Sequence, residues 1–97
     1  MIAKMIAADL DGWFGQAHVY EMDPPMQYGD SDQNAFTFYV IVSAVVAPYT
    51  GPETYIFPAE KHGDVFKTIN YRELEGSFRG ALDHEAALNN AGYEVTR

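Results

Sequence analysis

With 97 residues the chain has room for one domain and one modest core, and its 47% hydrophobic and 14% aromatic content excludes a disordered chain. The absence of cysteine excludes disulfides and Cys-type zinc sites, leaving His and carboxylates as the side chains a metal would need. The net charge of -8 is laid out unevenly: no Lys or Arg lies between Lys4 and Lys61, where Asp9, Asp11, Glu21, Asp23, Asp30, Asp32, Glu53 and Glu60 do, so direct nucleic-acid binding is disfavoured and basic surfaces are the attractive partners.

In residues 2–10, Ile2, Met5, Ile6 and Leu10 fall at helical spacing among good helix formers, which predicts a short helix. The same stretch also reads as a strand, with Ile2, Lys4 and Ile6 against Met1, Ala3 and Met5, and nothing local arbitrates. Asp11-Gly12 ends either element. Residues 13–22 read as a strand that stops at Asp23-Pro24-Pro25, because two prolines cannot donate ladder hydrogen bonds. A polar loop is expected over 27–34.

The central element is the run 35–46, whose even positions Phe36, Phe38, Val40, Val42, Ala44 and Val46 form an unbroken apolar face at period two. Its other face, with Thr37, Tyr39, Ile41, Ser43 and Val45, suits partial cover by another element. The run is too short to span a bilayer and is interrupted by Thr37 and Ser43, so no membrane insertion is expected. No secretory signal is visible either, and a soluble, cytoplasmic location is expected. After a turn over 47–52, residues 53–57 read as the return strand of a hairpin, closed by Pro58. Residues 61–64 form a turn before a short strand over 65–69. One helical turn is expected over 70–75, ended by Gly76, and an irregular link over 77–80. Asp83 is a good N-cap for a helix running through Ala91, with Leu82 stapled onto Ala87 and Gly92 as the left-handed terminator. Tyr93 and Val95 alternate with Glu94 and suit a last short strand. Together these elements predict one α+β domain over residues 1–97: a small antiparallel sheet of three to five strands with one C-terminal helix packed on one face.

Each tempting motif has a blander reading that outweighs it. Asp9-Leu10-Asp11-Gly12 after an apolar run resembles the first signature of haloacid-dehalogenase-type phosphatases, in which the first Asp is the nucleophile, and Gly29-Asp30-Ser31 resembles that family's late magnesium motif. The doubly wound sheet of that family needs several βα units of roughly 30 residues each, for which there is no room. Asp30-Ser31-Asp32-Gln33-Asn34 matches the opening of an EF-hand loop, but Ala35 stands where Gly is required and Ile41 where a bidentate Glu is required. His18, His62 and His84 lie on separate elements with no metal or catalytic spacing, and no dedicated charge role is expected at His84 in a first helical turn. Gly76-Ser77-Phe78-Arg79-Gly80 suits an anion-binding loop less well than a connector anchored by Phe78. No catalytic residue, metal site or cofactor is therefore assigned.

Residues 40–59, and within them Gly-Pro-Glu-Thr-Tyr-Ile-Phe-Pro, resemble small uncharacterised proteins of actinobacterial phages of the mycobacteriophage type. Residues 20–25, 75–84 and 91–93 are similar too, while residues 1–15 look like an N-terminal extension outside the shared pattern. The resemblance implies a phage origin and a place in the cytoplasm of the infected host cell, and it implies no activity. The expectation that follows is a non-enzymatic phage accessory protein that binds a host protein through an acidic, tyrosine-bearing surface, with Tyr49, Glu53, Tyr55 and Arg79 as its residues. Two alternatives are an acidic DNA mimic that inhibits a nucleic-acid-binding host or defence protein, and a minor virion or assembly component. Tyr55 and Phe57 on one face of an exposed edge strand over 53–57 further predict a symmetric homodimer.

Overall fold

A computed structural model describes residues 1–13, 15–28, 35–49, 51–70 and 73–96. The element order is β1 (Ile2–Ala7), β2 (Gln16–Gln27), β3 (Phe36–Ala47), β4 (Gly51–His62), β5 (Val65–Thr68), β6 (Phe78–Arg79), α1 (His84–Asn90) and β7 (Glu94–Thr96). All seven strands join one sheet in the order β5-β4-β3-β2-β1-β7, with β6 paired to β4. The pairs are antiparallel except β1 with β7, which is parallel. The fold is thus mostly β with a mixed sheet, which corrects the expected small antiparallel sheet of three to five strands. A helix does follow Asp83.

Residues 2–7 form a strand, not the expected helix, because pairing on both sides decides what local periodicity left open. Ala3 lies opposite Met22 on one side and Val95 on the other, and is fully buried. The N-terminal stretch expected as an extension thus supplies strand β1 of the sheet.

The prolines end neither strand in which they fall. β2 continues through Asp23-Pro24-Pro25, whose first X-Pro bond is cis, because residues 22–25 leave the ladder with β3, in which Glu21 faces Tyr39 and the next registered pair is Met26 with Thr37, while Met22 and Asp23 still pair with β1. β4 continues through Pro58, which lies opposite Val40. The Pro58 carbonyl accepts from the Ile69 N–H at 2.8 Å, so its backbone polar side faces away from β3 and the missing N–H costs that ladder nothing.

Nor is the 53–57 stretch an edge. β3 pairs along one side of β4; on the other side lie β6 opposite Glu53 and Thr54, the Leu74 N–H on the Ile56 carbonyl (2.8 Å), Ser77 Oγ accepting from the Ile56 N–H (2.8 Å), and β5 opposite residues 59–62. Phe57 is only 6% exposed. The expected homodimer loses its basis there, since this strand has no free hydrogen-bonding side.

Of the expected turn over 70–75, residues 71 and 72 lie outside the described part, and the described neighbours 70, 73 and 74 are not helical. The irregular link expected over 77–80 contains β6. The helix is where expected: Asp83 Oδ1 accepts from the Ala86 N–H at 3.0 Å. Gly92, at φ +93°, ends it with the Gly92 N–H on the Asn89 carbonyl and the Tyr93 N–H on the Leu88 carbonyl, the paired bonds of a Schellman cap. Leu82, 51% exposed, is not buried as a staple would be. This helix is too short to cross a membrane, and no helix among the described residues is long and apolar enough to do so.

The sheet has a core on each face. Ala87 and Leu88 of α1 pack with Ala3, Tyr20, Met22, Val40, Val42, Ile56, Leu74 and Tyr93 on one side. On the other, Ala17, Val19, Ile41 and Ala59 are covered by Leu10 and Trp13 of the β1–β2 connection and by Tyr39 and Phe66. Residues 40–44 of β3 are consequently buried on both faces, as a central strand requires. Phe36, Phe38 and Val46 of the apolar even face are exposed instead (56, 62 and 66%). A strand rises about 3.3 Å per residue and a helix only about 1.5 Å, so both ends of a twelve-residue strand outrun the cover of a seven-residue helix.

Candidate functional site

The residues expected to form a protein-binding surface lie at one end of β4, in unlike environments. Tyr49, on the turn between β3 and β4, is 100% exposed, with Val46 just before it also exposed. Glu53 is buried at 4% exposure, on the strand face opposite α1, and Arg79 reaches it across the β4–β6 pair with Nε 3.3 Å from Oε1. The Arg79 side chain remains largely in solvent, so it caps a buried carboxylate from outside. Tyr55, two residues along the same face, is half-buried with its ring 5.9 Å from that of Phe57. The Trp13 ring also stands 5.9 Å from that of Phe57, and Lys61 Nζ lies 6.0 Å from the ring of Phe66. Of the four residues, Tyr49 is thus the fully available contact. Glu53 and Arg79 are occupied with each other, which also fills the cation that an anion-binding loop over 76–80 would use. Ser77 of that loop is committed to the Ile56 N–H.

A second grouping was not foreseen from the chain order. His18 of β2 and His84 at the start of α1 stack with ring centroids 4.3 Å apart and planes inclined by 32°. They border a cavity of about 230 Å³ lined also by Met5, Tyr20, Leu82, Asp83 and Glu85. His18 is 8% exposed, and its Nδ1 accepts the Asp9 N–H at 3.0 Å, so the ring proton of neutral His18 is on Nε2. His84 Nε2 lies 2.9 Å from the Gln16 carbonyl, which only accepts, so His84 carries a proton there. Burial pushes the His18 pKa below the ordinary histidine value of 6.5, the His84 ring adds to the lowering, and the Asp9 carboxylate opposes it. The signal available in the sequence was weak: His18 sits on the same alternating face as Tyr20 and Met22, and His84 in the turn after the cap, but only the docking of α1 on the sheet brings them together.

The remaining motifs do not converge. Asp9 follows a strand whose neighbour β2 is antiparallel, not the parallel strand of a doubly wound sheet, and its Oδ1 accepts from Gln16 Nε2 at 3.1 Å. The calcium-loop residues Asp30 to Asn34 and the Gly29 motif lie outside the described residues. His62 Nε2 is 2.9 Å from Glu60 Oε1, both more than half exposed. Among the described residues no group of three or more His, Asp or Glu side chains could close on a metal ion, and no buried side-chain polar atom lacks a partner. No protein family, curated protein or solved structure matches the chain.

Proposed function

We propose that the chain is a non-enzymatic accessory protein of phage type that binds a host protein in the cytoplasm of the infected cell, with the Tyr49 turn as its principal contact. The observation that carries this reading is the complete exposure of Tyr49 at a hairpin tip whose base is held by the Glu53–Arg79 pair. Tyrosine supplies contact area at low entropic cost and is enriched where binding energy concentrates, so a wholly solvated ring on a braced turn is poised to be buried by a partner. The acidic charge favours a basic surface on that partner. The test is affinity capture from host lysate with the wild type and Tyr49→Ala side by side. A specific protein retained by the wild type and bound about tenfold less tightly by the variant supports the reading. Recovery of no specific protein, or equal retention by both, refutes it.

The DNA-mimic alternative is favoured by the base-free stretch between Lys4 and Lys61. Under it the captured protein is a nucleic-acid binder, duplex DNA competes for it, and affinity falls steeply with salt. Binding indifferent to DNA and salt removes that alternative.

A further inference from the structure

We propose that protonation of His18 releases the β1–β2 connection from the sheet, so that acidification uncovers the apolar face beneath Leu10 and Trp13. Three hydrogen bonds staple the start of this connection to the start of β2. The Asp9 N–H donates to His18 Nδ1 (3.0 Å), Gln16 Nε2 to Asp9 Oδ1 (3.1 Å), and the Leu10 N–H to the Ala17 carbonyl (2.9 Å). Asp9 is held at φ +52°, the one non-glycine residue with positive φ among those described, so the bonds on either side of it maintain an uncommon backbone state. From there the connection crosses to the opposite face, where Leu10 and Trp13 pack against the core around Ile41.

The His18 bond is made to a lone pair. A proton placed on Nδ1 turns that acceptor into a donor aimed at another donor, and the contact changes from attraction to repulsion. The second ring nitrogen offers no escape, because neutral His18 already carries its proton there. His84 adds to the effect: its ring, 4.3 Å away, disfavours an imidazolium at His18, which is itself only 8% exposed. The other titratable groups around the pair are the carboxylates of Asp9, Asp83 and Glu85 and the Tyr20 hydroxyl. Asp9 and the Ala17 backbone favour a charged His18, but burial and His84 outweigh them, so the folded site disfavours the charged form. The sign follows: a histidine whose native pKa is depressed supports the closed state fully above 6.5, and that support is lost as pH falls from there through the lowered native value.

Trp13 is the sole tryptophan of the chain and reports the connection directly. Its emission in the full-length protein is to be followed from about pH 8 to about pH 5, a range in which unperturbed histidine alone titrates among side chains, with circular dichroism recorded in parallel. The expected result is a red shift with a midpoint below 6.5 while the sheet signal is retained. His18→Asn keeps an acceptor near the Nδ1 position but cannot titrate there, and abolishes the shift. His84→Gln keeps a donor for the Gln16 carbonyl and removes the neighbouring ring that lowers the His18 pKa, so it raises the midpoint toward 6.5. A wild-type emission that stays flat until the sheet signal collapses overturns the proposal, as does a shift retained in His18→Asn or a midpoint lowered in His84→Gln. Should His18→Asn fail to fold, hydrogen exchange at the Asp9 amide of the wild type decides. Its protection factor falls through the same pH range if the bond is lost, and a constant protection factor overturns the proposal.

Discussion

Replacing Gly76 by alanine measures how closely the segment before β6 is packed under α1, the helix that carries His84. Gly76 has φ +103°, a state that side chains rarely adopt, and a Cβ there would stand 2.4 Å from the Ala87 carbonyl oxygen and 2.9 Å from Ala91 Cβ. The backbone strain costs about 1–3 kcal/mol. Forcing a methyl against a helix backbone that must move to admit it costs about 1–3 kcal/mol more. Gly80 separates the two effects, because it has φ +112° but nothing within 4 Å of the added Cβ. Gly80→Ala should therefore lose about 1–3 kcal/mol and Gly76→Ala about 2–6 kcal/mol, and the gain from stiffening the unfolded chain cancels between them. Against a total stability on the order of 5–15 kcal/mol, the second loss brings a marginal domain near its limit. Urea unfolding followed by Trp13 emission reads both. With a slope of about 1–3 kcal/mol per molar, the two midpoints should differ by on the order of 1 M. Coincident midpoints, or a Gly80→Ala variant that is the weaker of the two, would refute the close packing against Ala87 and Ala91.

Thr54 is fully buried, donating to the Ala81 carbonyl (2.8 Å) and accepting from the Asp83 N–H (3.0 Å), so Thr54→Val should cost about 1–3 kcal/mol while Thr54→Ser recovers much of it; equal urea midpoints for wild type and Val would contradict this. Tyr93→Phe removes the bond from its hydroxyl to the Pro24 carbonyl (2.8 Å) and should cost about 0.5–1.5 kcal/mol. Burial, and then the Asp23 charge, raise the Tyr93 pKa above 10.0, so its neutral form supports the fold fully below that value and the support is lost as pH rises through the raised native value. The stability difference between wild type and Tyr93→Phe, measured by urea titration at several alkaline pH values, should shrink accordingly, and a constant difference would show that the phenol does not titrate differently in the folded state. Tyr49→Ala should leave stability within about 0.5 kcal/mol, since its side chain is wholly solvated, and a larger thermal shift would mean that the turn has a structural role.

The helix over residues 84–90 was legible because its ends are local: Asp83 caps Ala86, and Gly92 closes a bond pattern with Asn89 and Leu88. The central strand was legible because Val40, Val42 and Ala44 alternate with residues that are also buried, so either face announces a strand. What depended on distant partners was not. Ile2 to Ala7 suits a helix by spacing, and only the pairing with β2 and β7, the latter from the far end of the chain, makes it a strand. The last strand, Glu94–Thr96, was announced by the alternation of Tyr93 and Val95 with Glu94, but its pairing with β1 was not; Phe78–Arg79 is too short to show any period, yet it pairs with β4 and covers the edge that the 53–57 stretch had suggested. Proline looked like a terminator at 24, 25 and 58 because its missing N–H is read locally, whereas its cost depends on which side of the strand that N–H would face. The same division holds at the sites. Tyr49 between Pro48 and Gly51 on a turn could be placed in solvent from the residues alone. Glu53, a charged residue expected on the surface, is buried because the register of β6 sets Arg79 over it, and His18 meets His84 because α1 packs across the sheet. Composition and spacing thus determined the short-range elements and the charge of this protein; register and docking, which depend on hydrogen bonds and apolar contacts between residues remote in the chain, decided the sheet, its edges and the histidine pair.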